Sequence, residues 1–103
     1  MVFTNNHGHS TVEIIVELFG MAKMATGRSE IAIRLPKLSS AKDAITAIGI
    51  RCKELNGIAI ASDGSGLMES YTINLNGDVF LDDRAVIFKP GDRILLFSSQ
   101  AGG

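Results

Sequence analysis

The 103-residue sequence predicts an α+β fold, in which a mixed sheet of four to five strands carries one main helix on one of its faces. Three observations support this prediction. Two segments near the start alternate apolar and polar residues, as half-buried strands do. One long segment, 40–55, repeats apolar residues at helical spacing. The pair Asn76-Gly77 then separates two apolar runs, which is a strong short-range signal for a β-hairpin.

The first half of the chain contains both alternating segments. Strands are predicted over 11–18 and over 29–35, and Pro36 is expected to stop the second because proline cannot donate to a strand ladder. Only a short connection separates the two strands, so we expect them to pair antiparallel. Their inward residues are aliphatic: Val12, Ile14, Val16, Leu18, Ile31, Ile33 and Leu35.

The connection between these strands, 19–26, is short and rich in alanine and methionine. It is predicted to form one or two helical turns that end at Gly27, because glycine commonly terminates a helix. Met21 and Met24 are interpreted as side chains that fill gaps in the core.

The main helix is predicted to begin at Ser40, with Asp43 completing a capping box, and to end at the pair Asn56-Gly57. Its apolar residues recur at helical spacing: Ala41, Ala44, Ile45, Ile48, Cys52 and Leu55. Cys52 is therefore interpreted as a core residue and not as a nucleophile. It is the only cysteine, which excludes an internal disulfide and fits a reducing compartment.

The second half of the chain is predicted to complete the sheet. After a poorly defined segment, 58–70, a hairpin is expected from 71–75 and 78–81. A Pro-Gly turn at 89–92 then leads into the last strand, 93–98. This strand is apolar on both faces, so we expect it in the middle of the sheet, beside the first strand and parallel to it.

Composition excludes several classes of function. The 10 basic and 11 acidic residues nearly cancel, so no nucleic-acid or membrane partner is indicated. Neither a transmembrane run nor a signal peptide is recognisable, and a cytoplasmic location is expected. His7 and His9 form a weak metal motif, and no bound metal or stable cofactor is expected. We expect one domain over 11–98, between a flexible extension, 1–10, and a mobile tail, 99–103.

The end of the chain has the most specific chemistry. The tail follows the last strand directly and finishes on Ala101, Gly102 and Gly103. Glycine lacks a Cβ, so this backbone can enter a channel too narrow for side chains. It would deliver the α-carboxylate of Gly103, which is ionised at neutral pH. Attack of that carboxylate on the α-phosphate of ATP gives an acyl-adenylate, which a sulfur or nitrogen nucleophile can convert to a thiocarboxylate or an amide.

Together these pieces resemble the ubiquitin-like sulfur carriers, the family of the molybdopterin synthase small subunit and the thiamine sulfur carrier. The resemblance covers about residues 12–103 and implies a β-grasp, or ubiquitin-like, fold. It departs from the family at the N-terminal extension, at an insertion over 58–69 and at Ser98-Ser99, where prolines are common. The matching pieces are the first strand with its glycine-ended helix (18–27), the main helix (39–55), the Asn-Gly hairpin (74–78), and the last turn and strand (89–97) with the Ala101-Gly102-Gly103 ending.

The resemblance implies a carrier and not an enzyme that acts alone. An E1-like adenylating enzyme would use ATP to activate Gly103, and a sulfurtransferase would supply sulfur. In the molybdopterin branch, which the Ala-Gly-Gly ending matches best, the tail inserts into a larger catalytic synthase subunit and donates sulfur to the dithiolene precursor. Thiamine synthesis, tRNA thiolation and conjugation to lysines stay open as destinations, as does a β-grasp binding module with an inert tail.

Contacts between the folded body and a partner are expected from apolar residues beside the tail. Leu95 and Phe97 are the candidates, because one face of the last strand should not be wholly covered by the helix. The alternative is that both side chains belong to the core. Phe80, on the predicted hairpin, is a third candidate.

Overall fold

In a computed structural model, the structure describes residues 10–99 and shows the predicted α+β fold. The expected N-terminal extension, except for Ser10, and residues 100–103 of the expected tail lie outside the described residues. The elements, in chain order, are β1 (Thr11–Leu18), α1 (Gly20–Thr26), β2 (Glu30–Pro36), β3 (Leu38–Ser39), α2 (Ala41–Arg51), a 3₁₀ turn (Lys53–Leu55), β4 (Tyr71–Leu75), β5 (Val79–Phe80), β6 (Val86–Ile87) and β7 (Arg93–Ser98).

In the described part of the chain, the main sheet has five strands in the order β2-β1-β7-β4-β5, and β3 and β6 pair separately as a small second sheet. β1 pairs antiparallel with β2, as predicted. β7 lies between β1 and β4, parallel to the first, with Leu18 beside Leu96, and antiparallel to the second, with Ile73 beside Leu96. The last strand is therefore central, which explains why both of its faces are apolar.

Two tight turns position the second half of the sheet, one joining β4 to β5 and the other leading into β7. In the hairpin, Asn76 and Gly77 have φ angles of 58° and 73°, and the Asp78 N–H donates to the Leu75 carbonyl at 3.0 Å. Positive φ angles at both central residues are typical of a type I′ turn, whose backbone twist matches the twist of the two paired strands. Asparagine and glycine adopt these angles at the lowest cost. Before β7, Gly91 has a φ of 85° in the predicted Pro-Gly turn.

The core lies between α2 and one face of the sheet. Ile45 and Ile48 of α2 are buried against it, and the predicted inward residues of β1 and β2 are all buried. Phe88, just after β6, is completely buried and is among the largest side chains in the core. Burial of one large aliphatic side chain contributes about 1.5–3 kcal/mol. The side chains buried between α2 and the sheet therefore contribute strongly to the free energy of unfolding.

The start of α2 agrees with the prediction, but its end does not. The Ser40 N–H donates to the Asp43 carboxylate at 2.9 Å, and the Asp43 N–H donates back to the Ser40 hydroxyl at 3.4 Å. The helix ends at Arg51 and not at Asn56-Gly57. A 3₁₀ turn follows and redirects the chain, so that Leu55 lies completely buried at the end of the core.

The interpretation of the two methionines of α1 is wrong. The helix forms and ends at Gly27 as predicted, but Met21 is 52% exposed and Met24 is 78% exposed. Only Ala22 of this helix is buried. A seven-residue helix lying across the end of the core presents one narrow stripe to it, and residues three apart on the other side remain in solvent.

Candidate partner-binding face and tail exit

The base of the tail is the last part of the chain that the structure describes. β7 ends at Ser98, and the next residue, Ser99, donates from its backbone N–H to the Ser70 carbonyl at 2.6 Å. Its hydroxyl donates to the same oxygen at 2.9 Å. The predicted site residues Ala101, Gly102 and Gly103 lie outside the described residues, so the structure defines where the tail leaves the sheet and not its course.

β7 presents two different faces. Ile94 and Leu96 are completely buried under the helix side of the sheet, whereas Leu95 and Phe97 point the other way and are half-buried. We call this second side of the sheet the open face. The expectation that the helix leaves one face of the last strand partly uncovered is confirmed, and neither Leu95 nor Phe97 belongs to the buried core cluster.

Phe80 joins these two residues on the open face. It is 63% exposed, and its ring centroid lies 6.5 Å from that of Phe97 with the planes tilted by 48°. Leu95 and Phe80 both lie next to Asn74 in the strand register. The structure thus brings all three predicted contact residues together, in an arrangement of the two rings that aromatic pairs favour.

Asn74 is a member of this group that sequence reasoning missed. It is only 6% exposed, and its side-chain oxygen has no hydrogen-bond partner among the described residues. A buried polar atom without a partner costs about 1–3 kcal/mol, so a hydrophobic residue would be the more stable choice here. Its position in the sequence could have indicated this, because Asn74 is a polar residue within the apolar run that leads into the Asn76-Gly77 turn.

Ion pairs occupy the other side of the open face, over β1 and β2. Arg93 lies between two glutamates, with its guanidinium 3.3 Å from the Glu17 carboxylate and 3.3 Å from that of Glu30. The face therefore has a charged half, in which the charges satisfy one another, and an apolar half around Phe97. The apolar half lies on the strand that leads into the tail.

A second apolar group, also missed, lies at the same end of the sheet as the tail. β1 runs parallel to β7 with Leu18 beside Leu96, so the residues that follow β1 lie near the carboxyl end of β7. Phe19, Met21 and Met24 there are 42%, 52% and 78% exposed. Phe19 and the two methionines of α1 thus add exposed apolar side chains at this end of the sheet. A seven-residue helix with two alanines and two methionines has too little periodicity to reveal their orientation.

The described residues contain little that could act chemically by itself. Cys52 is buried, and its burial, with a smaller contribution from the Glu54 carboxylate, raises the pKa of the thiol, which disfavours the reactive thiolate. Within residues 10–99, no three histidine, cysteine or acidic side chains group as metal ligands would. Neither described α-helix, of 7 and 11 residues, has the apolar length to cross a membrane.

No protein-family model and no curated protein matches the chain. Solved structures match it in shape. The small archaeal modifier protein 1 of Haloferax volcanii superposes with a TM-score of 0.70 at 19% identity, over 88% of this chain and 99% of its own. The modifier protein 1 of Methanosarcina acetivorans gives 0.70 at 20% identity, over 91% and 99%.

A third similar structure carries a different name. It is described as the molybdopterin converting factor subunit 1 of Pyrococcus furiosus, and it superposes with a TM-score of 0.63 at 23% identity, over 84% of this chain and 97% of its own. At these identities the likeness shows the fold. The ubiquitin-like β-grasp fold that the sequence resemblance implied is thereby confirmed.

Proposed function

We propose that this protein is a ubiquitin-like sulfur carrier that is charged at Gly103 and serves as the small subunit of a molybdopterin synthase. The observation that carries the proposal is the base of the tail, where the central strand of the sheet is fastened by two hydrogen bonds from Ser99 to Ser70. The last described residue, Ser99, lies four residues before Gly103. Four residues reach at most about 14 Å, which suits delivery of a carboxylate into a partner's channel.

The proposed chemistry has two steps. In an E1-like adenylating enzyme, a carboxylate oxygen of Gly103 attacks the α-phosphorus of ATP, and pyrophosphate leaves. Hydrosulfide delivered by a sulfurtransferase then attacks the carbonyl carbon, and AMP leaves with the bridging oxygen. Ala101 and Gly102 are small enough to pass through a narrow channel behind the reacting group. ATP is bound by the activating enzyme, and the carrier itself holds no cofactor.

Partner proteins are proposed to bind the folded body through the apolar half of the open face. Ordering the tail in a channel costs backbone entropy, and contacts elsewhere must offset that cost. Exposed aromatic side chains at the centre of a patch are the residues that most often dominate binding energy. We therefore assign Phe97, Leu95 and Phe80 to contacts with the activating enzyme and with the larger synthase subunit. Both partners are proposed to act in the cytoplasm.

A second destination is supported by the names of two similar structures, which are called modifier proteins. In this alternative the activation step is unchanged, but the ε-amine of a lysine attacks the activated carbonyl. The product is an amide bond between Gly103 and another protein. The same tail and the same open face serve both reactions, so the nucleophile decides between them.

The proposal is tested by incubating the protein with the adenylating enzyme of its host, ATP and sulfide, followed by intact-mass measurement. We expect replacement of one oxygen by sulfur in the full chain, and no change when Gly102 and Gly103 are deleted. The deletion leaves every described residue in place and serves as the matched control. Conjugates that survive a denaturing gel after incubation in host lysate would instead assign the modifier function.

One pair of results would contradict both the sulfur-carrier and the modifier function. The chain would keep an unmodified carboxylate in a complete mixture that charges an established carrier, and deletion of the two glycines would leave partner binding unchanged. In that case the fold is a binding module with an inert tail.

A further inference from the structure

The edge of the sheet farthest from the hairpin provides a second surface, independent of the tail. Within residues 10–99, β2 is an edge strand of the main sheet and pairs there with β1 alone. At its two ends the Leu18 N–H donates to the Ser29 carbonyl at 2.8 Å, and the Lys37 N–H donates to the Ser10 carbonyl at 3.0 Å. Bonded pairs alternate along an antiparallel ladder, so the backbone groups of Ala32 and Arg34 point away from β1, toward the open edge.

An apolar groove of about 420 Å³ lies between this edge and α2. Its lining includes Ile33, Ala47 and Ile50, and a second cavity of about 340 Å³ continues from it past Pro36. Ile50 is 71% exposed although it is a large aliphatic residue on a helix that otherwise buries its isoleucines. Among the residues that the structure describes, nothing covers the apolar floor of the groove, and the adjacent edge groups of β2 have no strand partner.

The rim of the groove is basic. Arg34, Lys42 and Arg51 line the two cavities, and none of the three forms an ion pair within residues 10–99. Of the carboxylates nearby, that of Asp43 is held in the capping box of α2, which leaves Glu13. Arg34 lies on the same side of the sheet as Arg93, but the charge of Arg93 is already compensated by two glutamates.

We propose that this β2–α2 groove binds an extended segment of a partner protein in which apolar and acidic residues alternate. The segment pairs with β2 through the backbone of Ala32 and Arg34, adding a strand to the sheet. Because side chains alternate along a strand, one set packs on Ile50 and Ala47 under α2, and the other set meets Arg34 on the opposite side. Acidic residues at the two ends reach the remaining cations of the rim.

An added strand at this edge leaves the tail and the apolar half of the open face uncovered. The partner could therefore bind while Gly103 is inside an activating enzyme. The chemistry of the groove does not favour a second copy of the chain, because symmetric pairing of two β2 edges would bring two identical basic rims together.

The test is titration of the full chain into a fluorescein-labelled heptapeptide, Asp-Val-Asp-Ile-Glu-Val-Glu, read by fluorescence anisotropy. A matched probe replaces each acidic residue by lysine. We expect binding of the acidic probe alone, and a rise in Kd of at least about tenfold for Ile50→Glu and for Arg34→Glu. Met24→Glu introduces the same charge at an equally exposed position on α1 and should leave Kd unchanged.

Backbone pairing is checked by amide exchange in the ¹⁵N-labelled protein, where the Ala32 and Arg34 amides should gain protection on addition of the probe. Circular dichroism confirms that the variants remain folded. Equal affinity for the lysine probe, unchanged binding by Ile50→Glu, or protection confined to the open face would each overturn the proposal. Self-association that competes with the probe would assign the groove to a second copy and overturn it as well.

Discussion

The two faces of β7 use the same strand for different purposes. Ile94 and Leu96 are completely buried and join the helix to the sheet, while Leu95 and Phe97, one position along, are half-buried on the opposite face. The comparison shows that the alternation of side chains separates stability from recognition within six residues. Changes on the covered face should alter folding, and changes on the open face should alter binding.

The largest expected effect is on the covered face. Leu96→Ala should lower the free energy of unfolding by about 2–5 kcal/mol, because it leaves a cavity in the centre of the core. Leu95→Ala, the matched change on the open face, should cost less than half as much. Urea denaturation of both variants measures the difference. Equal losses would show that both faces of the strand are core.

The next effect is on binding. If the proposed complex with an activating enzyme forms, Phe97→Asp should weaken it by at least about 2 kcal/mol, since a charge would replace the proposed aromatic contact. Ile87→Asp is the matched control, because Ile87 is 62% exposed on the small second sheet. Isothermal titration calorimetry compares the two. Equal weakening of binding, or none in either variant, would remove the open face from recognition.

A smaller effect of opposite sign is expected at Asn74. Asn74→Leu should raise the free energy of unfolding by about 1 kcal/mol, because it removes a buried oxygen that has no hydrogen-bond partner in residues 10–99. Asn74→Asp, which would bury a charge at the same position, should lower it. Thermal and urea denaturation provide the measurement. A loss of stability in the leucine variant would mean that the amide makes a necessary contact.

The smallest effect is expected in the charged half of the open face. Arg93→Gln should cost less than about 1 kcal/mol, because the two ion pairs are partly exposed to solvent. The difference from the unaltered protein should shrink as salt is added, since salt screens exposed charges. Denaturation at low and high ionic strength checks this. A salt-independent difference would point to packing of the arginine stem as the cause.

Much of the fold could be predicted because local patterns and tertiary packing agree. Alternation gave the faces of β1 and β2, the Ser40–Asp43 capping box gave the start of α2, and Asn76-Gly77 gave the hairpin. The end of α2 could not be predicted, because it is set by where Leu55 must pack and not by the local glycine. The orientation of Met21 and Met24 depends on how α1 lies across the core.

The candidate site was predictable to the same extent. The two apolar faces of β7 indicated a central strand with one partly open side, which placed Leu95 and Phe97 correctly on the open face. Contact of Phe80 with Phe97 depends on the pairing of three strands and has no sequence signature. The burial of Asn74 follows from the same pairing. The roles of Gly102 and Gly103 rest on chemistry, because those residues lie outside the described part of the chain.

The pairing of β1 with β7 has a consequence for synthesis of the protein. The two strands come from opposite ends of the described chain and lie side by side in the sheet. Contacts so distant in sequence form late, and here they cannot form until the final segment has left the ribosome. A chain that stops before β7 lacks the central strand of its sheet and leaves the apolar residues of β1 and β4 without the neighbour they pack beside. Closure of the sheet therefore waits for translation of β7.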